Sequence, residues 1–318
     1  MEHSLDEAIR QRLAESRDIL IASHVRPDGD AIGSLIALGL ALQNAGKNVQ
    51  MVLSDGVPKS FRHLEGSEQV HTEPKGKFDT FIVVDCADFR RVGKCCQAYG
   101  QPDINIDHHV TNEKFGVLNL IEPQAVATSA ILTDHLTAWG LKITQPIAAA
   151  LLTGIVTDTL GFRTSNTTPR ALRQAASLME YGVNLSELYH RALVRRSFQA
   201  ARYWGAGLSS LERSDGLVWG TLTLADRETS GYHGNDDADL INVLSAIDES
   251  TVAMIFVEQP DNHVKISWRA LTPDVDVSRV AKHFGGGGHR AAAGADVPGS
   301  LKEVQPLVLK ATREILGL

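Results

Sequence analysis

Short apolar runs alternate along the first half of the chain with longer segments whose apolar residues recur at helical spacing. Residues 19–22, 49–53, 80–84 and 104–106 have the predominantly apolar character of buried strands. Residues 31–45, 128–139, 146–160 and 169–181 read as helices, with Gly46, Gly140 and Gly182 as stops and Pro146 and Pro169 at two starts. Ser4 and Glu7 form a capping-box pattern that opens a polar helix running to about Arg17. The alternation predicts an α/β fold with a doubly wound, mainly parallel sheet over residues 1–190. Residues 185–211 continue the helical pattern and carry Arg191, Arg195, Arg196 and Arg202, so 191–212 reads as a helical connector. Beyond a boundary near residue 212, strands at 217–224, 251–257 and 263–268 and helices at 237–247, 277–284 and 300–315 predict a smaller mixed α/β domain over 213–318. A cleft between the two domains is the expected place for a small ligand.

A length of 318 residues fits two such cores, and 43% hydrophobic with 22% charged residues is ordinary globular usage. No apolar stretch approaches the roughly 20 residues that cross a bilayer. Residues 1–17 are charged rather than signal-like, so a soluble, cytoplasmic chain with no membrane partner is expected. Cys86, Cys95 and Cys96 are odd in number and lack zinc spacing, which fits reduced thiols. A net charge of -7 argues against a grip on long duplex nucleic acid, which draws on many lysines and arginines. Any nucleic-acid substrate should therefore be small. The oligomeric state is not legible, and a homodimer is one arrangement open to it.

Between the first apolar run and the next helix lies His24-Val25-Arg26-Pro27-Asp28-Gly29-Asp30, three metal-ligating side chains in seven residues. Pro27 restricts the backbone and Gly29 permits a sharp bend, so His24, Asp28 and Asp30 can share one concave rim. A plain turn with a helix cap needs only Asp30 and leaves His24 and Asp28 unexplained. Asp85 follows the apolar run 81–84, and Asp107-His108-His109 follow 104–106, so these groups emerge at the carboxyl edge of the sheet. Asp158 ends an apolar helical run and is costly to bury unless paired or metal-bound. Were these groups to share one cleft, Asp28, Asp30, Asp85 and Asp158 would place four negative charges together, and two divalent cations would neutralise them. Mixed carboxylate and imidazole ligation suits manganese better than calcium or magnesium. Such a pair of ions serves in-line displacement at phosphorus.

The second domain carries Gly285-Gly286-Gly287-Gly288-His289-Arg290, where the absence of side chains would let backbone N–H groups point at one anion. His289 and Arg290 would add hydrogen bonds and positive charge, which makes a phosphate clamp the preferred reading over a flexible linker.

In order and content these motifs resemble the DHH phosphoesterase superfamily, in particular its nanoRNase and pAp-phosphatase (NrnA-like) branch with a DHH-associated C-terminal domain. The resemblance covers nearly the whole chain. It implies that His24, Asp28 and Asp85 hold one metal, that Asp30, Asp85, His108 and Asp158 hold the other, and that Asp85 bridges them. It further implies that Asp107 orients an imidazole and that His109 faces the substrate phosphate or supports the nucleophile. Gly287, Gly288 and His289 are implied in substrate binding, with Arg163 and Arg290 as further phosphate contacts. The implied substrates are oligoribonucleotides of two to a few residues, linear dinucleotides, and pAp attacked at its 3'-phosphate. A RecJ-type exonuclease is disfavoured by the short chain, and a family II pyrophosphatase by the glycine-histidine motif. A nucleotide-sensing module with structural metals is the alternative from another class.

Overall fold

The apolar runs become neighbouring parallel strands, and the loops that leave their carboxyl ends carry the acids. The computed structural model describes residues 2–318, with side chains from residue 5 onward, and it divides into two units, Met1–Arg195 and Arg196–Leu318. The first unit contains α1 (Glu2–Glu15), β1 (Asp18–Ala22), α2 (Gly29–Asn44), β2 (Asn48–Val52), β3 (Val70–His71) and β4 (Thr80–Val84). It continues with α3 (Lys94–Gln97), β5 (Ile104–Asp107), β6 (Leu118–Ile121), α4 (Thr128–His135), α5 (Gln145–Asp158), α6 (Pro169–Met179) and α7 (Leu185–Tyr189). The expected capping box falls partly outside the described residues, since the Ser4 side chain is not among them, and α1 already runs from Glu2.

All six strands of the first sheet are parallel, in the order β3-β2-β1-β4-β5-β6. The order reverses between β1 and β4, which makes the carboxyl ends of these two strands the switch point where doubly wound sheets bind ligands. Ile19, Ile21, Ile82, Val84, Ile104 and Ile106 point to one face, where α1, α2, α4 and α5 cover them. Leu20, Ala22, Phe81 and Val83 point to the other, covered by a shorter layer with Val92 and Cys96. Residues 29–42 of α2 are all buried, as expected of a helix that is apolar on every side and sits beneath α5. Gly33 lets the two helices touch, because a Cβ there would fall on the carbonyl oxygen of Ala150.

The second unit begins with α8 (Phe198–Ser209), so the helix expected as a connector packs inside this unit against its sheet. Its remaining elements are β7 (Glu212–Ser214), β8 (Leu217–Leu222), α9 (Leu224–Ser230), α10 (Leu240–Leu244), β9 (Val252–Gln259) and β10 (His263–Ala270). α11 (Ser278–His283), β11 (Gly287–Gly288), β12 (Ala292–Pro298) and α12 (Leu301–Leu316) complete it. The sheet order is β11-β12-β10-β9-β8-β7, with β8 and β9 parallel and the other pairs antiparallel. Met254, Phe256, Ile266 and Trp268 pack on one face with Val280 and Val308, while Ala253, Ile255 and Val257 pack on the other with Tyr203 and Leu240.

Gly33→Ala should lower stability by about 1–3 kcal/mol through overpacking at the α2–α5 contact. Gly205→Ala, in an exposed part of α8 with nothing near its added Cβ, should instead gain about 0.5–1 kcal/mol. Thermal and denaturant unfolding of the two variants checks both signs.

Candidate metal centre

Six sequence-predicted ligands meet at the switch point, each delivered by a different local device. After β1, the His24 loop turns through Arg26 at φ 56°, whose N–H donates to Asp55, and Val25 donates its N–H to the Arg91 carbonyl at 2.7 Å. Asp28 then caps α2, its Oδ1 accepting from the N–H groups of Asp30 and Ala31 at 3.0 Å each, which leaves Oδ2 for the centre. Capping thus falls to Asp28 and not to Asp30. Gly29 is required for a reason other than bending: it lies in the first turn of α2, and a Cβ there would strike the Thr157 side chain, next to Asp158. The missing side chain lets the end of α5 bring Asp158 to the loop.

Asp85 occupies the left-handed region at φ 51°, a strained conformation that Asp tolerates better than most residues. Its carboxylate is 1% exposed and divides its oxygens between two sets of donors. Oδ2 lies 3.6 Å from Nε2 of His24, which is itself 3.9 Å from Oδ2 of Asp28. Oδ1 lies 3.7 Å from Nε2 of His108, which is 3.4 Å from Oδ2 of Asp158. His24, Asp28 and Asp85 therefore form one cluster with ligand atoms within 4.8 Å of one another, and Asp30, His108 and Asp158 form a second. The Thr128 hydroxyl donates to Oδ1 of Asp85 at 3.0 Å and helps fix its orientation.

Asp30 is held by the start of α4. The N–H groups of Thr128 and Ser129 donate to its two oxygens at 2.6 and 3.0 Å, and the Ser34 and Ser129 hydroxyls add further bonds. Each candidate imidazole ligand has an acceptor behind it. Nδ1 of His24 faces the Val25 carbonyl at 2.9 Å and Nδ1 of His108 faces the Ala125 carbonyl at 3.3 Å, an arrangement that turns Nε2 toward the centre. Asp107 is fully buried and accepts from the His108 N–H, from Nδ1 of His109 at 2.6 Å and from Asn112 at 2.6 Å. Three protein donors on one carboxylate suit it to orienting His109.

None of the carboxylates of Asp28, Asp30, Asp85, Asp107 and Asp158 has a lysine or arginine within salt-bridge reach among the described residues. Burial raises the pKa of Asp30 to about 7, reinforced by the charge of Asp85. Burial likewise pushes Asp158 well up, with Asp30, Asp28 and Asp85 adding to the effect. Burial opposes ionisation of Asp85 too, but its hydrogen bond with His24 and the nearby imidazoles outweigh this and hold its pKa below the usual carboxylate range. For His24, His108 and His109 burial disfavours the cation, yet the surrounding aspartates prevail and raise all three. Protons thus stand in for missing positive charge. The donor set fits hard-to-borderline divalent cations, which are the remaining way to neutralise it.

The remaining predicted residues are Arg163 in the first unit and the glycine run with His289 and Arg290 in the second. Arg163 is exposed in the turn after α5, its N–H bonded to the Thr159 carbonyl at 2.8 Å. In the second unit the glycine run forms a hairpin edge. Gly287 pairs with Gly294 and Gly288 with Ala293, while the N–H groups of Gly285, Gly286 and His289 donate to backbone carbonyls. Glycine is needed there for close approach, since a Cβ on Gly286 would meet the Gly294 carbonyl. His289 is exposed at the hairpin turn. Arg290, expected to contact phosphate, donates from Nε and NH2 to the carbonyls of Pro273 and Asp274 at 3.2 and 2.9 Å, which ties down that loop. No helix among the described residues is long and apolar enough to cross a membrane.

Residues 18–155 match the DHH family, N-terminal domain, and residues 222–317 match the DHHA1 domain. The bifunctional oligoribonuclease and PAP phosphatase NrnA of Thermus thermophilus is 37% identical over 303 residues, covering 94% of this chain and 90% of the relative. Among solved structures, an exopolyphosphatase-related protein from Bacteroides fragilis shares the fold with a TM-score of 0.92 at 22% identity, covering 98% and 96% of the two chains. RecJ from Thermus thermophilus, solved in complex with Mn2+, has a TM-score of 0.55 at 14% identity, covering 99% of this chain and 54% of RecJ. Fold, acid–imidazole cluster and relatives together define a divalent-metal-dependent hydrolase of phosphoester bonds. The chain belongs to the DHH family of phosphoesterases, in the company of the NrnA proteins.

Because ligation needs neutral imidazole and ionised carboxylate, metal binding here must expel protons. Affinity should rise with pH, most steeply around the value near 7 of Asp30. Manganese titration calorimetry at about pH 6 and about pH 8, in buffers of different ionisation enthalpy, should show proton release and binding at least roughly tenfold weaker at the lower pH. A pH-independent affinity would exclude Asp30, His24 and His108 as ligands.

Proposed function

We propose that the chain uses two divalent cations, manganese by preference, to hydrolyse very short oligoribonucleotides and linear dinucleotides, and also to remove the 3'-phosphate of pAp. The observation that carries this reading is the Asp85 carboxylate, whose two oxygens face two different donor sets. His24, Asp28 and Asp85 would hold one ion and Asp30, Asp85, His108 and Asp158 the other. Cations held there supply Lewis acidity toward phosphoryl oxygens and lower the proton affinity of an attacking water. Manganese is favoured by the mixed carboxylate–imidazole donors, and the related RecJ structure was solved with that ion.

Asp107, accepting from Nδ1–H of His109, places the acceptor lone pair of that ring on Nε2. His109 can then take a proton from the nucleophile or hold a phosphate oxygen after protonation. Arg163 is proposed as a further phosphate contact, and Gly287, Gly288 and His289 at the hairpin as contacts to substrate in the second unit. The substrate choice rests on the Thermus relative, a bifunctional oligoribonuclease and PAP phosphatase. Three free cysteines fit a cytoplasmic setting, where thiols stay reduced.

Turnover of pApA, pAp and longer strands, resolved by product chromatography, tests the proposal directly. Chelation should abolish activity and manganese should restore it better than calcium. Asp85→Ala should reduce turnover by more than about a hundredfold while circular dichroism stays native, since the substitution relieves carboxylate repulsion. Full activity in excess chelator, or an active Asp85→Ala at saturating manganese, would overturn the mechanism.

A further inference from the structure

Arg91 stands beside the metal centre without a carboxylate of its own. It belongs to the turn Phe89–Val92, capped by Asp88, and its carbonyl accepts the Val25 N–H, so this turn is tied to the His24 loop. Gly93, at φ 85°, closes the turn where a Cβ would fall on the Ser54 hydroxyl, which leaves the backbone little room to relax. The neighbouring Arg90 pairs with Asp88 at 2.7 Å and Glu113 at 3.5 Å. Arg91 is solvent-exposed, feels the charge of Asp88 without a salt bridge to it, and among the described residues has one side-chain hydrogen-bond neighbour: NH2 lies 3.3 Å from Nδ1 of His24.

That neighbour cannot accept from it when the centre is loaded. Nδ1 of His24 also lies 2.9 Å from the Val25 carbonyl. A guanidinium only donates, so a bond from Arg91 needs Nδ1 as a bare acceptor, whereas the carbonyl needs it protonated. When Nε2, which faces Asp85 and Asp28, ligates a metal, Nδ1 carries the proton and bonds to Val25. The guanidinium is then an exposed cation with unmatched donors, held at the edge of the centre.

We propose that Arg91 binds a phosphate of the substrate adjacent to the one under attack. Its place on the Nδ1 side of His24, away from the ligating nitrogen, puts it beside the centre and not within it. Its planar fork matches two phosphate oxygens at once. This assignment rests on the metal-centre reading, because the His24 tautomer follows from it.

The test uses methylenephosphonate-linked analogues of pApA and ApA, which cannot be cleaved, with binding to the manganese-loaded full chain followed by calorimetry. Arg91→Ala should weaken the analogue bearing the 5'-phosphate about tenfold or more, as loss of a charge-assisted hydrogen bond predicts, and change the analogue without it by less than about twofold. Arg91→Lys should recover part of the loss, since it restores charge but not the fork. Manganese content, measured on each variant by elemental analysis, should match the wild type. Equal weakening of both analogues, or unchanged binding of both, would overturn the proposal, and so would a loss of metal, which would make Arg91 a support for His24. Failure of the wild-type chain to bind manganese would instead overturn the metal-centre reading.

Discussion

Mutual repulsion among the carboxylates at the sheet's switch point is the constraint on which the surrounding architecture depends. An ionised carboxylate removed from water costs several kcal/mol even after relaxation, and here several such groups are brought together with no lysine or arginine among the described residues in salt-bridge reach of them. Each local oddity of the first unit answers to that cost. The start of α4 aims two N–H groups at Asp30, and α2 aims two at Asp28. Three imidazoles line the cluster. The backbone of Asp85 accepts a left-handed conformation that lets one carboxylate address both donor sets. Hydrogen bonds of this kind stabilise anions, but they add no net positive charge, and the raised pKa of Asp30 and Asp158 records the deficit.

The same constraint explains why helix packing is so close. α2 and α5 must both end at the centre, one delivering Asp28 and Asp30 and the other Asp158, so they run against each other. Gly29, Gly33 and Gly154 lie along that contact, and in each case a Cβ would meet the opposite helix or the groups holding Asp30. A Cβ at Gly154 would fall on the Ser129 hydroxyl, which donates to Asp30. Packing and ligand placement are therefore a single problem in this unit, and substitution at the helix contact is felt at the metal site.

Strands β1, β2, β4 and β5 were legible because buried parallel strands are predominantly apolar, and the residues after β1, β4 and β5 revealed the acids and histidines. The edges were not: β3 has two residues and β6 alternates Asn119 with leucines, too little pattern to separate from loop. α4 was placed at Thr128, yet its task of holding Asp30 was invisible because donor and acceptor are 98 residues apart in sequence. Asn112 stood five residues from Asp107 in plain view but had no motif chemistry to mark it. The hairpin at the glycine run was not legible for a physical reason. Absent side chains suit an anion nest and a tight hairpin equally well, so the pairing of Gly287 and Gly288 with β12 could not be read from composition. Arg290 stood out by charge, but its bonds to the carbonyls of a loop 16 and 17 residues away were not legible.

The two donor sets differ in how they meet solvent. Asp28 is 60% exposed, whereas Asp30 is almost fully buried and Asp158 is 30% exposed. Asp28, beside the His24 loop, is thus the candidate ligand most open to solvent and to an incoming substrate. That approach presents a difficulty for a chain of net charge -7 whose substrates are polyanions, because carboxylates at the entrance repel what must enter. Arg91 stands on this side, and its carbonyl anchors the loop that bears His24 and Asp28. A cation at the rim lowers the local barrier without occupying the centre, where its charge would compete with the metals for the same carboxylates. The separation is built into the chain: acids on the strand ends to gather metal, and a guanidinium one turn outside them to receive phosphate.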